Sequence, residues 1–361
     1  MNYQTALRIG TRDISLESPT YFIADLAANH DGDLGRAKDL IWRAKEAGAD
    51  CAKFQHFLAE RIVSKVGFEG SASQVSHQAK WKKSVVEVYD QYHTRRDWTE
   101  ELLDTCRKAE IDFMTTPYDA EAIDMFREIV PAYKIGSGDI THHAAIAQMA
   151  RTGKPILLAC GAATMQEVEA AVGLILQYNG ALCLMQCNTN YTGNPENFKY
   201  VNLRVLQTFA ARWPGMVLGF SDHTSGHSAV LGAVTLGARI VEKHFTDDTS
   251  REGPDHSFAL DPVTWRAMVD ATRELELALG DGIKRIEANE TETVVIQRRA
   301  LRLRNASPAG TVLSEDHLEA LRPCPEGAIP PSAIAGILGK RLTTKKEAGK
   351  ELLWSDIGPQ S

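Results

Sequence analysis

Short apolar segments alternate with amphipathic helical segments along most of this chain, and that alternation limits its possible folds more than any other feature. Eight of the apolar segments have the length and composition of buried strands. In order they are residues 20–27, 51–57, 111–116, 132–137, 155–160, 181–187, 216–221 and 238–245. The helical patterns after them include 36–50, 97–109, 118–129, 164–178, 226–236 and a closing helix from Pro262 to Leu279. Eight successive β/α units predict a (β/α)₈ barrel.

Two further segments of the first 280 residues add to this barrel. The segment from Leu7 to Leu16 predicts a hairpin ahead of the first barrel strand. Residues 57–96 are long for a single connection, and we expect them to form an excursion that covers the substrate. A doubly wound sheet would share the alternation, but no G-x-G-x-x-G turn follows the first strand, so the barrel is favoured.

The composition changes after Gly280, which predicts a second and smaller domain. Residues 281–295 are charged and weakly patterned, as in a linker or an exposed helix. Short apolar runs broken by Pro and Gly follow and predict a β-rich module. The predicted organisation is therefore a catalytic barrel at 1–280, a linker at 281–295 and a small domain at 296–361.

Charge and composition exclude several classes of function. The 361 residues contain 40 Lys and Arg against 47 Asp and Glu, so the chain lacks the basic character of nucleic-acid or membrane-surface proteins. Every apolar run is shorter than the roughly 18 residues of a membrane span, and the N-terminal segment has no apolar signal core. The six cysteines are scattered without a C-x-x-C pair, as expected for reduced thiols in the cytoplasm.

Polar and ionisable side chains recur at the carboxyl ends of nearly all the predicted strands. In a (β/α)₈ barrel these ends form the face that carries the active site. The side chains found there, strand by strand, are Asp25, Lys53, Gln55, Thr116, Lys134, Ser137, Tyr191, Ser221, His223, Glu242 and His244.

Two lysines and two histidines in this set point to specific ligands. Barrel strands have no edges, so Lys53 and Lys134 must be buried or point into the barrel mouth, where an unpaired ammonium is costly. Neither has an acidic neighbour in the sequence, so we expect an anionic ligand such as phosphate or carboxylate. His223 and His244 end adjacent strands and are candidates to share one metal ion, although structural hydrogen bonding would explain them equally well.

Several motifs, in order along the chain, resemble the sialic acid synthase family. They are IADLAANHDGDLGRAKDLIWRAKEAGADCAKFQ, TTPYD, KIGSGDI, GFSDHTSGHSAVLGAVTLGARIVEKHF and GPDHSFALDP. The C-terminal module resembles the antifreeze-like (SAF) domain of such synthases. The family condenses phosphoenolpyruvate with an N-acyl hexosamine to give a nonulosonic acid.

This resemblance implies a (β/α)₈ barrel, a homodimer whose SAF domain covers the partner's barrel, and a divalent metal. The metal would be Mn²⁺ or Mg²⁺, or else Co²⁺, held by His223 and His244. The catalytic set would be Asp25, Lys53, His223, Glu242 and His244. The residues around phosphoenolpyruvate would be Lys53, Thr116, Lys134, Ser137 and Ser221, and those holding the sugar would be Gln55, Tyr191, Asp255 and Arg322.

Three departures from the family pattern leave the choice of sugar open. The first strand ends in Asp25 where the family usually has Glu, and the turn after strand five reads Ala159-Cys160-Gly161-Ala162 in place of Ser-Thr-Gly-Met. The loop after strand six is also longer than usual. N-acetylmannosamine and a 2,4-diacetamido-2,4,6-trideoxyhexose are both candidates.

Two other functions would explain parts of this pattern. A phosphoenolpyruvate-dependent 3-deoxy-ulosonic acid phosphate synthase would share the barrel and its lysines, but not the SAF module. A carbohydrate- or ice-binding protein with an inactive barrel would not need the lysines and histidines at the barrel mouth. The sequence therefore favours the nonulosonic acid synthase.

Overall fold

The computed structural model describes residues 3–69, 81 and 83–359, and the chain divides into two compact units. The first unit is Met1–Gly280 and the second is Asp281–Ser361. Each has an apolar core of its own. None of the helices described for this chain combines the length and the apolar character that crossing a bilayer requires.

The first unit begins with the predicted hairpin and continues into a closed parallel barrel. The hairpin strands, β1 (Ala6–Ile9) and β2 (Arg12–Ser15), pair antiparallel. The eight barrel strands are Tyr21–Asp25 (β3), Cys51–His56 (β4), Asp112–Pro117 (β5), Tyr133–Ile135 (β6), Ile156–Ala159 (β7), Leu182–Cys187 (β8), Val217–Asp222 (β9) and Ala238–His244 (β10). Each strand pairs with the next, and β10 closes onto β3. The predicted (β/α)₈ class is confirmed.

Helices follow the barrel strands, and their starts are set by local capping. A capping box between Thr164 and Glu167 begins one of them, and Asp261 with Thr264 begins the closing helix. The helices are Leu34–Glu46 (α1), Ala59–Ile62 (α2), Lys65–Glu69 (α3), Val85–Tyr92 (α4), Thr99–Ala109 (α5), Ala120–Phe126 (α6), His143–Ala150 (α7), Met165–Leu176 (α8), Val205–Arg212 (α9), Ser228–Thr235 (α10) and Pro262–Leu279 (α11). The closing helix has the predicted bounds.

The alternation of side chains along each strand separates two apolar cores. Phe22 and Val241 belong to the core between the strands and the helices, whereas Tyr21 and Ile240 belong to the core inside the barrel. Hairpin residues such as Leu7 join the inner core and close the amino ends of the strands. The inner positions nearer the carboxyl ends of the strands are therefore left for the polar residues of the site.

The described part of the long segment 57–96, between β4 and helix α5, contains the short helices α2, α3 and α4 rather than a featureless loop. Arg61 and Arg96, near its two ends, contact the Asp119 carboxylate at 3.3 and 2.6 Å. These contacts anchor both ends of the connection to the loop after β5. Residues 70–80 and 82, within the predicted excursion, lie outside the described residues.

The second unit is small and rich in short extended segments, as predicted. It contains a helix, Thr291–Gln297 (α12), and an antiparallel pair of strands, Ala300–Leu303 (β11) and Leu318–Leu321 (β12). Isolated bridges, such as that between Val312 and Arg341, link its other segments. Its core is built from Leu, Ile and partly buried apolar side chains of these segments.

Candidate active site

The carboxyl ends of the barrel strands bring acidic and basic side chains into direct contact. In the strand register His244 lies opposite Asp25, and Asp25 lies opposite Lys53. Lys53 Nζ is 2.8 Å from Asp25 Oδ2, and Gln55 Nε2 donates to the same carboxylate oxygen at 3.1 Å. The Lys53 ammonium also lies 3.4 Å from the Thr116 hydroxyl.

A second carboxylate, that of Glu242, joins the two predicted lysines. Glu242 Oε1 lies 3.4 Å from Lys134 Nζ and accepts a hydrogen bond from the Ser221 hydroxyl at 3.0 Å. Glu242 Oε2 lies 3.8 Å from Lys53 Nζ. Burial alone would lower the pKa of Lys53, but Asp25 and Glu242 raise it above its ordinary value, so this lysine is charged.

These ion pairs supply the acidic partners that the two lysines lack among their neighbours in the sequence. Their side chains are only 2–3% exposed, and a buried ammonium is strongly destabilised unless a carboxylate compensates it. The carboxylates come from the first and the last strand of the barrel, which are far from the lysines in sequence. Closure of the barrel brings them together.

The two predicted histidines lie side by side, with ring centroids 5.4 Å apart. His223 Nδ1 is 2.9 Å from the carbonyl oxygen of Asn188, a contact that makes Nδ1 the donor and leaves Nε2 as the basic nitrogen. Burial lowers the pKa of His244 to about 3, so its ring is neutral at neutral pH. Against the effect of burial, the Cys187 thiol and the Asn188 carbonyl raise the pKa of His223. A metal-bound histidine is neutral and usually has its second ring nitrogen hydrogen-bonded; His244 has the first of these properties and His223 the second.

The donor set fits a metal bound by two histidines. His244 Nδ1 and Glu242 Oε2 are buried and have no hydrogen-bond partner among the described residues. Within the same part of the chain, no group of three or more His, Cys, Asp or Glu side chains is arranged to hold a metal ion. A metal ion held by the two histidines would have its remaining positions open to water or substrate, and an open position is typical of catalytic metal sites.

A cavity of about 410 Å³ opens next to His244. Of the predicted site residues, Gln55, Ser137, Tyr191 and Asp255 also line it. The rest of its wall is largely aromatic or apolar, with Phe57, Ile62, Trp81, Val88, Tyr89, Tyr92, Tyr118 and Pro254. A neighbouring chamber of about 430 Å³ shares Trp81, Tyr92 and Tyr191 with it.

Sequence reasoning missed this aromatic wall. The wall could have been found in the sequence from the helical spacing of apolar residues at Val85, Val88, Tyr89 and Tyr92, which gives α4 one apolar face. That pattern covers only two helical turns, and the sequence around it shows no other clear periodicity. Val88, Tyr89 and Tyr92 line the cavity.

Tyr191 and Asp255 approach the histidines from two different loops. The Tyr191 ring meets the His223 ring edge-on, with centroids 4.3 Å apart. Asp255 Oδ2 accepts from the backbone N–H of Ala28 at 3.2 Å and lies 3.9 Å from His244 Nδ1. Burial raises the pKa of Asp255 to about 6.

The turn after strand β7, where this chain departs from the family pattern, packs tightly against Ser137. The Ser137 hydroxyl accepts from the N–H of Gly161 at 2.9 Å. A Cβ at position 161 would lie 2.6 Å from Thr189 Cγ2 and 3.1 Å from Cys187 Sγ, so any larger residue would have to displace these side chains. The turn therefore packs closely against its neighbours even without the hydroxyls of the usual Ser-Thr-Gly-Met.

Arg322, the one predicted site residue outside the barrel, belongs to the second unit and has an exposed side chain. Its neighbour in the chain is fixed by Arg302, whose guanidinium donates to the Pro323 carbonyl at 2.6 Å. Arg302 is itself buried and paired with Glu351 at 2.9 Å. The segment that carries Arg322 is thus held firmly within its own unit.

Comparison with known proteins finds two family models along this chain. Residues 40–284 match the NeuB family and residues 298–358 match the SAF domain. The N,N'-diacetyllegionaminic acid synthase of Legionella pneumophila is 35% identical, over 93% of this chain and 94% of its own length. The human N-acetylneuraminate-9-phosphate synthase is 30% identical, over 92% of this chain and 90% of its own length.

A solved structure of a related protein has the same fold. The crystal structure of N-acetylneuraminic acid (sialic acid) synthetase from Leptospira borgpetersenii, in complex with citrate, superposes with a TM-score of 0.70. It is 27% identical and covers 80% of this chain and 95% of its own. The motifs, the barrel and these matches agree, and the chain belongs to the NeuB family and carries an SAF domain at its C-terminal end.

Proposed function

We propose that this protein condenses phosphoenolpyruvate with an open-chain N-acyl hexosamine to form a nonulosonic acid and inorganic phosphate. The observation that carries this proposal is the meeting of Lys53, Lys134, Asp25 and Glu242 beside a pair of histidines at one barrel mouth. C3 of phosphoenolpyruvate bonds to the aldehyde carbon, and water adds to C2 and gives up one proton, which balances the proton taken up by the former aldehyde oxygen. The C2 hydroxyl then loses its proton and becomes the keto group, while the bond between C2 and the bridging oxygen breaks and its electron pair leaves with inorganic phosphate.

Lys53 and Lys134 are proposed to hold the phosphate. Their ammonium groups approach Glu242 from two strands, so a phosphate in this position would meet both. Thr116, Ser137 and Ser221 would supply hydroxyls around it. Buried cations of this kind offset the charge of the departing phosphate without having to reorganise.

Asp25 and Glu242 are proposed to handle protons and water. Both lie within 4 Å of Lys53, and Glu242 Oε2 is buried without a hydrogen-bond partner among the described residues. That oxygen is suited to orient the water that adds to C2. Asp25, shorter by one methylene than the family's Glu, keeps its contacts to Lys53 and Gln55.

His223 and His244 are proposed to hold a divalent cation, Mn²⁺ or Mg²⁺ or else Co²⁺. When bound, such a cation polarises the aldehyde oxygen and stabilises negative charge that develops on it. The hydrogen bond from His223 to Asn188 and the neutral state of His244 support this role.

The sugar is proposed to lie in the 410 Å³ cavity, against Gln55, Tyr191 and Asp255. Its aromatic wall packs better against acetamido methyl groups and a 6-methyl group than against a hydroxymethyl group. A 2,4-diacetamido-2,4,6-trideoxyhexose is therefore the favoured substrate, in line with the relative from Legionella pneumophila, an N,N'-diacetyllegionaminic acid synthase, and N-acetylmannosamine is the alternative.

We further propose that the two compact units act as separate domains in a cytoplasmic homodimer. The SAF domain of one subunit would cover the barrel of the other, and Arg322 would donate hydrogen bonds to the sugar oxygens there.

Phosphate release from phosphoenolpyruvate with a panel of sugars tests the reaction. The panel contains the diacetamido sugar, N-acetylmannosamine, its 6-phosphate and a phosphorylated aldopentose. We expect release with a free N-acyl hexosamine, and a labelled bridging oxygen should leave with the phosphate. Turnover of the aldopentose phosphate alone would indicate the 3-deoxy-ulosonic acid phosphate synthase instead.

A further inference from the structure

A buried ion pair joins β9 and β10 on the outer side of the barrel strands, away from the reactive side chains. These two strands lead into His223 and His244. Asp222 on β9 and Lys243 on β10 are partners in the strand register. Lys243 Nζ lies 2.7 Å from Asp222 Oδ2, and the two side chains are 0% and 1% exposed. Such a pair brings two charges out of water, and apolar residues of similar volume often do as well or better for stability.

The strand alternation puts this pair outside the barrel interior. Asp222 and Lys243 have the same parity as Phe220 and Val241, which belong to the core between strands and helices. Their neighbours Ser221 and Glu242 bond to each other on the inner face. Neither Asp222 nor Lys243 lines the cavities at the barrel mouth.

The pair also fixes the backbone on both sides of His223. Asp222 Oδ1 accepts from the N–H of Thr224 at 2.9 Å, and Oδ2 accepts from its hydroxyl at 3.0 Å. The Lys243 ammonium donates to the carbonyl oxygen of Thr224. One side chain of β10 thus holds the residues before and after His223, and its own chain neighbour is His244.

We propose that Asp222 and Lys243 are a positioning pair, which holds His223 and His244 at the separation needed to bind one metal ion. The inference rests on the proposed role of the two histidines. The pair ties Asp222, Thr224 and Lys243 together, and each histidine is the immediate chain neighbour of one of these residues. Residues that hydrogen-bond to metal ligands typically change metal affinity by about 10–100-fold, and we expect a comparable effect from a pair that fixes the backbone of the ligands instead.

The test titrates Co²⁺ into the chelator-treated full-length protein by calorimetry and records the visible absorption of the bound ion. We expect Lys243→Met and Asp222→Asn each to weaken Co²⁺ binding by about 10–100-fold and to change the absorption bands. Steady-state rates should show a fall in kcat with little change in the KM for phosphoenolpyruvate. His223→Ala should abolish the binding.

Two further variants separate positioning from stability. Asp50→Asn alters an aspartate at the opposite end of the barrel, which accepts from the N–H of Phe22 at 2.8 Å and pairs with Arg12. It should lower the melting temperature without changing Co²⁺ affinity. Asp222→Leu/Lys243→Met should recover much of the stability that a single variant loses, because no unpaired charge remains, yet still bind Co²⁺ weakly.

The outcomes distinguish the inference from the proposed function. If the wild type binds Co²⁺ through His223 but the Asp222 and Lys243 variants bind it equally well, the positioning pair is refuted and the metal site stands. The pair is also refuted if affinity returns together with stability in the double variant. If the wild type does not bind Co²⁺, or binds it equally in His223→Ala, the metal site itself is wrong and the pair has nothing to position.

Discussion

Breaking the buried ion pair between Lys53 and Asp25 from either side should destabilise the barrel, whereas removing both charges should not double the loss. Lys53 Nζ lies 2.8 Å from Asp25 Oδ2, and the side chains are 2% and 3% exposed. Removing one member of a buried pair typically costs about 3–5 kcal/mol, because the other charge stays buried without its partner.

The remaining contacts place both single variants near the lower end of that range. In Lys53→Met, Asp25 would keep hydrogen bonds from Gln55 at 3.1 Å and from the N–H of Ala27 at 3.2 Å. In Asp25→Asn, Lys53 would keep the Glu242 carboxylate at 3.8 Å. We therefore expect each single variant to lose about 3 kcal/mol in the free energy of unfolding. Lys53→Met/Asp25→Asn should lose no more than one of them, a coupling of about 3 kcal/mol.

Urea unfolding at neutral pH, followed by the fluorescence of tryptophans buried in the barrel, measures these losses. The matched control is Asp13→Asn, which breaks an exposed pair with Arg8 whose side chains are 62–68% exposed. That change should cost less than about 1 kcal/mol. Single variants that lose no more than this control, or a double variant whose loss is the sum of the two, would refute the reasoning.

Three other perturbations follow from the same structure. His244→Ala, or chelation of the wild type, should abolish phosphate release, and Mn²⁺, Mg²⁺ or Co²⁺ should restore only the chelated wild type; full activity after exhaustive chelation would contradict this. Mixing inactive Arg322→Ala with inactive His244→Ala subunits should restore activity, because one mixed site pairs an intact barrel with an intact arginine; no recovery after verified exchange would mean that Arg322 serves its own barrel or none. Burial lowers the pKa of His56 to about 3, so this residue alone should cost the barrel about 2 kcal/mol near pH 5, a loss that begins as the pH falls below about 6.5. His56→Phe should reduce the loss measured by urea unfolding by that amount, while His30 and His244, whose pKa values burial also lowers, keep their share; an unchanged slope would show that His56 does not contribute.

The sequence was sufficient to predict the barrel because each strand and helix has its own local signal. The buried strand Ile156–Ala159 is a continuous apolar run, and Pro262–Leu279 begins at an Asp and a Pro that define a helix start. Once eight such units are counted, closure follows from the architecture. The carboxyl ends then meet, which is why Asp25 and His244 could be expected at one mouth without knowledge of their contacts.

The side-chain contacts at the barrel mouth could not be predicted from local sequence patterns. The pairing of Lys134 with Glu242 depends on two strands on opposite sides of a closed barrel and on side-chain rotamers that no local pattern encodes. The cavity wall depends on the fold of a long connection whose helices are only one or two turns long. Asp255 was identified from family resemblance alone, and its contact with Ala28 arises from two loops far apart in sequence.

The charged groups at the barrel mouth contact one another, so a substitution at one of them also changes the surroundings of the others. Lys53 and Lys134 are balanced by Asp25 and Glu242, so the buried cluster carries little net charge before a substrate arrives. A phosphate that binds the lysines must then compete with carboxylates already in contact with them. Replacing one lysine therefore removes a phosphate contact and also leaves a carboxylate without its partner, so lost activity alone does not identify a phosphate ligand. Only variants that remove charges in pairs, compared with the single ones, separate the two effects.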